Sequence, residues 1–141
     1  MHTQNTLQTS FEDIKVNVKL KLAALWASLM FLIIYIDYFH LYMPDMMDTI
    51  RMGRVFEFNI TQGFLVGGLL VVTIPALMIF LSVALPAKAN RLTNIIIASI
   101  NIPLMIFNLA GMVWVHMVLG AAVEVFLLSL ILRYAWKWPR A

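Results

Sequence analysis

Long apolar runs decide what this chain can fold into. Residues 60–85 contain no charged side chain, and residues 20–42 contain only Lys21 and Asp37. Residues 92–136 continue apolar, broken by Glu124 and Arg133 alone. A helix needs about 20 mainly apolar residues to cross roughly 30 Å of hydrocarbon. The last run is too long for one crossing and about right for two. Its natural break is Asn108-Leu109-Ala110-Gly111, because glycine is favoured just past a helix end. Four spans are therefore expected, at residues 20–42, 60–85, 92–109 and 113–135. A membrane β-barrel would instead show alternating segments of about ten residues. The expected fold class is an all-α integral membrane protein, a four-transmembrane-helix bundle occupying residues 1–141 as one membrane domain.

Composition agrees. The chain is 62% hydrophobic and 12% charged, against about 45–50% and about 25% in a soluble domain. A small soluble fold exposes too much surface to hide that much apolar side chain, so the lipid bilayer is the first partner. There is no cysteine, which excludes disulfides, thiolate metal sites, iron–sulfur clusters and thiol nucleophiles. The basic residues do not gather into one patch, so no nucleic-acid partner is expected. The polar opening Met1-His2-Thr3-Gln4-Asn5-Thr6 does not read as a cleaved signal.

Orientation follows from lysine and arginine beside the spans. Lys15, Lys19, Lys21, Lys88, Arg91, Arg133, Lys137 and Arg140 fall on one side. Arg51 and Arg54 fall on the other, offset by Asp45, Asp48 and Glu57. Both termini are therefore expected in the cytoplasm. Tyr134, Trp136 and Trp138 form an expected inner aromatic belt, and Tyr38, Tyr42 and Trp114 an outer one. Within the tail of residues 1–19, Ser10 and Asp13 make a capping pattern, and Phe11, Ile14, Val18 and Leu22 recur at helical spacing. An interfacial helix running into span one is expected there, although Lys15-Val16-Asn17-Val18-Lys19-Leu20 also alternates as a strand does. In the loop 43–59, Pro44-Asp45 can start a short helix and Gly53 can end it. Met46, Met47 and Ile50 would then face the membrane or cover the mouth of the helices. Residues 136–141 are the remaining tail, with Pro139 stopping the last helix.

The run Leu25-Trp26-Ala27-Ser28-Leu29-Met30-Phe31-Leu32-Ile33-Ile34-Tyr35-Ile36-Asp37-Tyr38-Phe39-His40-Leu41-Tyr42-Met43-Pro44 resembles a bacterial family of small four-helix membrane proteins, domain-of-unknown-function family 6326. Leu85-Pro86-Ala87-Lys88-Ala89-Asn90-Arg91 and Tyr134-Ala135-Trp136-Lys137-Trp138-Pro139 match it in character. The resemblance covers most of the chain after the first ten residues, and implies a bacterial inner-membrane location. The family often has glycine after the loop proline, where this chain has Asp45, so that turn is the point of departure. The resemblance implies the architecture and no activity.

Ionisable groups inside a span cost roughly 2.5–3.5 kcal/mol each at the helix centre, so the few present are the functional leads. Asp37 and His40 lie in span one, and His116 and Glu124 in span four. At about 1.5 Å rise per residue, Asp37 and His116 fall towards the outer side and Glu124 near the midplane. Asn94, Asn101 and Asn108 recur every seventh residue and share a face. Two levels result, with Asp37, His40, Asn108 and His116 (joined by Gln62) outside, and Asn101, Glu124 and Thr73 at the middle. As a site, this is a polar pocket for a small molecule, ion or proton. As plain structure, Asn101 and Glu124 hydrogen-bond across the hairpin and fix its register, at about 0.6 kcal/mol per such bond. Asp37 and His40 are neighbours on the helix, a pairing suited to proton transfer or to simple interfacial anchoring.

Gly63, Gly67 and Gly68 make a small-residue surface expected to draw spans together within the chain, with a dimer face as the alternative. Pro75 and Pro103 lie deep in spans two and three, where each removes a backbone hydrogen bond. No motif demands a reaction, a metal or a cofactor. A binding protein, a membrane enzyme using carboxylate and histidine on an apolar substrate, and an accessory subunit all stay open. With no internal repeat, transport would require a homo-oligomer.

Overall fold

The computed structural model describes residues 14–110 and 113–138. In chain order the elements are α1 (Val18–His40), α2 (Met46–Arg51), β1 (Arg54–Val55), β2 (Phe58–Asn59), α3 (Gln62–Ala84), α4 (Ala87–Phe107) and α5 (Val115–Trp136). Four of these, α1, α3, α4 and α5, are long and apolar enough to cross a membrane. At about 1.5 Å per residue, 23 residues give a helix of about 35 Å, enough for the hydrocarbon layer.

The helix starts differ from the hydropathy boundaries for local reasons. Asn17 is extended and its side-chain oxygen accepts from the Lys19 amide, so α1 begins at Val18. Residues 14–17 are not helical. The expected interfacial helix therefore does not run unbroken into α1, and its Ser10–Asp13 capping pattern lies outside the described residues. A residue accepting at its own N-cap stops a helix from running upstream. Helix α4 begins at Ala87, well before the apolar run at Leu92, because Pro86 fixes the extended entry. Lys88 and Arg91 therefore belong to the helix, although they precede the apolar run that begins at Leu92. Both Pro75 and Pro103 sit inside continuous helices.

Helix α1 packs on α3 and α5, α5 packs on α4, and α3 touches α4 more lightly. Leu22, Trp26 and Leu29 of α1 are fully buried against Met78, Ala98, Met105, Leu128 and Ile131. Antiparallel succession puts the start of α1 and α4 beside the end of α3 and α5. Lys19 Nζ reaches the carbonyls of Val83 (3.3 Å) and Leu85 (2.6 Å) at the end of α3. Arg91 Nε donates to the Ala135 carbonyl at the end of α5 (3.2 Å) and its guanidinium lies over Trp136. Lys21 lies over the Tyr134 ring. Each of these cations satisfies carbonyls or faces a ring where a helix end presents partial negative charge. This is the basic end of the molecule.

The opposite, loop end carries α2 and a two-residue ladder, Arg54 opposite Asn59 and Val55 opposite Phe58. Gly53 at φ 79° closes α2, and its carbonyl accepts from Ile60. Asp45 has φ 62°, the left-handed region that glycine enters freely and aspartate tolerates. The glycine that the resemblance implies at this position would suit the same turn. Arg51 pairs with Asp48 (3.2 Å) and Arg54 with Glu57 (3.7 Å), all exposed.

One expectation about packing fails. Nothing in the structure lies within 4 Å of a Cβ placed on Gly67 or Gly68, and residues 62–71 are exposed throughout. The glycine surface draws nothing towards it within the described chain. The close helix approach lies elsewhere: Gly120 of α5 admits Ile36 of α1 so closely that a Cβ on Gly120 would overlap that side chain.

Candidate functional site

His40 is the last residue of α1 and His116 the second of α5. The α1–α5 contact brings their rings to 5.6 Å between centroids, tilted edge to face. His40 Nδ1 lies 3.7 Å from Asp37 Oδ1, one turn back on α1. The Asp37 side chain is 71% exposed and that of His40 is 17% exposed, so the carboxylate reaches outward while the imidazole turns inward. Phe56 from the loop hairpin sets its edge against His40 at 5.8 Å, and Trp114 lies 6.1 Å from His116. Met43, Met46 and Met117 are buried above, with Ile50, Phe56 and Leu109 packed on them. The loop helix α2 thus serves as a cover, which is one of the two roles expected for Met46 and Ile50; Met47 stays exposed.

Under this cover the Nε2 atoms of His40 and His116 are both buried and have no hydrogen-bond partner. A buried, unsatisfied polar atom costs about 1–3 kcal/mol. Two of them stand on adjacent rings, and the described chain answers neither.

The middle level is smaller than expected. Glu124 is 5% exposed and follows His116 and Gly120 at intervals of four, hence on the same face of α5. Asn101 is 4% exposed, but its amide donates to its own helix at the Ile97 carbonyl (2.8 Å) and its Oδ1 has no partner. The interhelical Asn101–Glu124 hydrogen bond is not made. Thr73 also bonds back to its own helix, at Leu69 (2.7 Å). Asn108 caps the end of α4 and is exposed, and Gln62 is exposed at the start of α3, so neither joins the histidines. The structure brings Asp37, His40 and His116 together, and places Glu124 and Asn101 deeper.

A second polar cluster lies towards the basic end and escaped the sequence reading except for Asn94. Trp26 Nε1 donates to Asn94 Oδ1 (2.7 Å), which also accepts from Ser82 Oγ (3.4 Å). Asn94 Nδ2 donates to the carbonyl and side-chain oxygens of Asn90 (2.9 and 2.7 Å), and Asn90 Nδ2 donates to the Ser82 carbonyl. All four residues are fully buried. The signal was present: a buried tryptophan N–H needs an acceptor, and Asn90 stands one turn before Asn94.

Among the described residues no group of three or more His, Asp or Glu side chains is arranged to hold a metal ion. A family model, the family of unknown function DUF6326, matches residues 10–141. The chain belongs to DUF6326. The match spans every element of this DUF6326 protein, from α1 through the loop cover to α5. No curated protein and no solved structure matches it. What is established is a multi-pass membrane architecture, and the family adds no activity to it.

Proposed function

We propose that this protein is a membrane-embedded binding protein whose Asp37–His40–His116 site takes up a proton, or a small ligand able to hydrogen-bond two imidazoles. The observation that carries the reading is the pair of buried, unpartnered Nε2 atoms on adjacent rings. Asp37 is the outward-facing partner, positioned to orient His40 through Nδ1 and to relay protons to it. Glu124 and Asn101 lie deeper and extend the site towards the midplane. The enzyme alternative has less support, since no reactive arrangement beyond these groups is present among the described residues to direct a reaction. We further infer that the basic end faces the cytoplasm of a bacterial inner membrane, from its charge asymmetry and the family resemblance.

The test is nitrogen-15 NMR of histidine-labelled protein in nanodiscs between about pH 8 and 5, where imidazoles titrate. The expected result is that His40 and His116 respond together, and that His116→Phe alters the titration of His40. Two independent, unperturbed imidazole titrations would overturn the reading.

A further inference from the structure

The basic end holds two adjoining hollows that the histidine site does not use. One is a crevice of about 730 Å³ between residues 15–21, the start of α4 and the end of α5. Lys15, Lys19, Lys21, Arg133 and Lys137 line it, with Tyr134 and Trp138, and no acidic residue lines it among the described residues. Every described acid lies elsewhere: Asp37 and Glu124 within α1 and α5, Asp45, Asp48 and Glu57 at the loop end. Lys19 is committed to the end of α3 and Lys21 to the Tyr134 face. The side chains of Lys15, Arg133 and Lys137 make no ion pair among the described residues. The second hollow, of about 420 Å³, runs between α4 and α5 and is walled by Ile95, Ser99, Leu132 and Trp136. It shares Arg133 and Lys137 with the first.

We propose that the two hollows together are a binding site for one anionic phospholipid. The phosphate and headgroup occupy the basic crevice, and an acyl chain lies along the apolar groove. A free phosphate offers the same charge, but it has no use for a groove that opens from the same two cations onto aliphatic and aromatic walls. Arg133 and Lys137 sit at the junction, where a lipid changes from polar to apolar. Arginine can hold two phosphate oxygens at once, and Trp136 supplies the interfacial ring that suits this depth. The site is separate from the histidine pair and stands whether or not that pair binds protons.

Native mass spectrometry of the protein released from nanodiscs of equal phosphatidylglycerol and phosphatidylcholine tests this. Selective retention of phosphatidylglycerol is expected. The combined Lys15→Gln, Arg133→Gln and Lys137→Gln variant should lose retention on the order of 100-fold, from about 1 kcal/mol per basic residue near an anionic surface. Lys88→Gln removes a charge from the same end without touching either hollow, and should leave retention unchanged; an equal loss there would reduce the effect to general surface charge and overturn the site. Ser99→Trp, which fills the groove and spares every charge, should also release the lipid; unchanged retention would overturn the acyl-chain half. If the triple variant does not fold by circular dichroism, Lys137→Gln alone should still cost roughly fivefold. Millimolar inorganic phosphate added before release should not displace the lipid; displacement would make this a site for soluble phosphate instead. Equal retention of the two lipids would overturn the proposal outright.

Discussion

Two polar clusters interrupt the apolar interior, and they are built on opposite plans. Towards the basic end, Trp26, Ser82, Asn90 and Asn94 are joined by direct hydrogen bonds across three helices. At the loop end, His40 and His116 lie against each other with their Nε2 atoms unanswered, and Asn101 leaves its Oδ1 unanswered deeper down. In hydrocarbon a polar group needs an internal partner. The first cluster meets that demand from its own chain and holds α1, α3 and α4 together. The second leaves it open among the described residues, and the proposed binding role rests on that difference. Burial alone does not separate the two, since Asn94 and Asn101 are both buried asparagines on one face of one helix. Hydrogen-bond saturation does.

The sharpest way to break the comparison is at Gly120, which holds the helices of the open cluster together. Gly120→Leu forces a side chain into Ile36 and should destabilise the protein by at least the roughly 1–3 kcal/mol of overpacking. Unfolding in mixed micelles measures it, and wild-type stability would mean that the close α1–α5 approach is dispensable. Next comes Asn94→Leu, which strands the Trp26 N–H and the Asn90 side chain. A loss of about 2 kcal/mol is expected, from unsatisfied buried groups at roughly 1–3 kcal/mol each moderated by the smaller values typical of membrane interiors. His116→Phe should do the opposite of Asn94→Leu. It replaces an unpartnered polar atom with an apolar ring, so stability should stay within about 0.5 kcal/mol of wild type or rise. A destabilisation matching that of Asn94→Leu would mean that His116 is structural after all. Comparably small is Arg51→Ala, which breaks an exposed pair with Asp48 and should cost about 0–1 kcal/mol.

Much of this architecture can be read from the residues. The uncharged stretch through residues 60–85 and the split of the last run at Asn108 suffice to place four long helices, because hydrocarbon thickness sets their length. The pairing of Asp37 with His40 follows from helical spacing. Depth along a helix also put His40 and His116 at one level, and their contact follows once α1 and α5 are neighbours. What periodicity does not give is which helices are neighbours and which way a rotamer turns. Asn101 sits at the depth of Glu124, yet its amide bends back to Ile97. Gly67 looks like a packing surface, yet the glycine that brings helices together is Gly120, which has no small partner four residues away on either side. Asn108 shares a stripe with Asn94, yet it lies at the helix end and is exposed. The saturated cluster stayed hidden for a related reason, since Trp26 and Ser82 read as ordinary span residues until a partner is seen.

The bare half of α3 makes the bilayer part of the tertiary structure. From Gln62 to Val71 every residue is exposed among the described residues, whereas Pro75, Met78 and Ser82 anchor the rest. Lipid alone enforces helicity there, because an unpaired amide has nowhere to turn in hydrocarbon. Once the protein is moved into detergent thin enough to admit water, amide hydrogens of residues 62–71 should exchange first, ahead of every other span. The helix keeps its shape on loan from its solvent, and membrane thickness becomes a variable that this chain can feel.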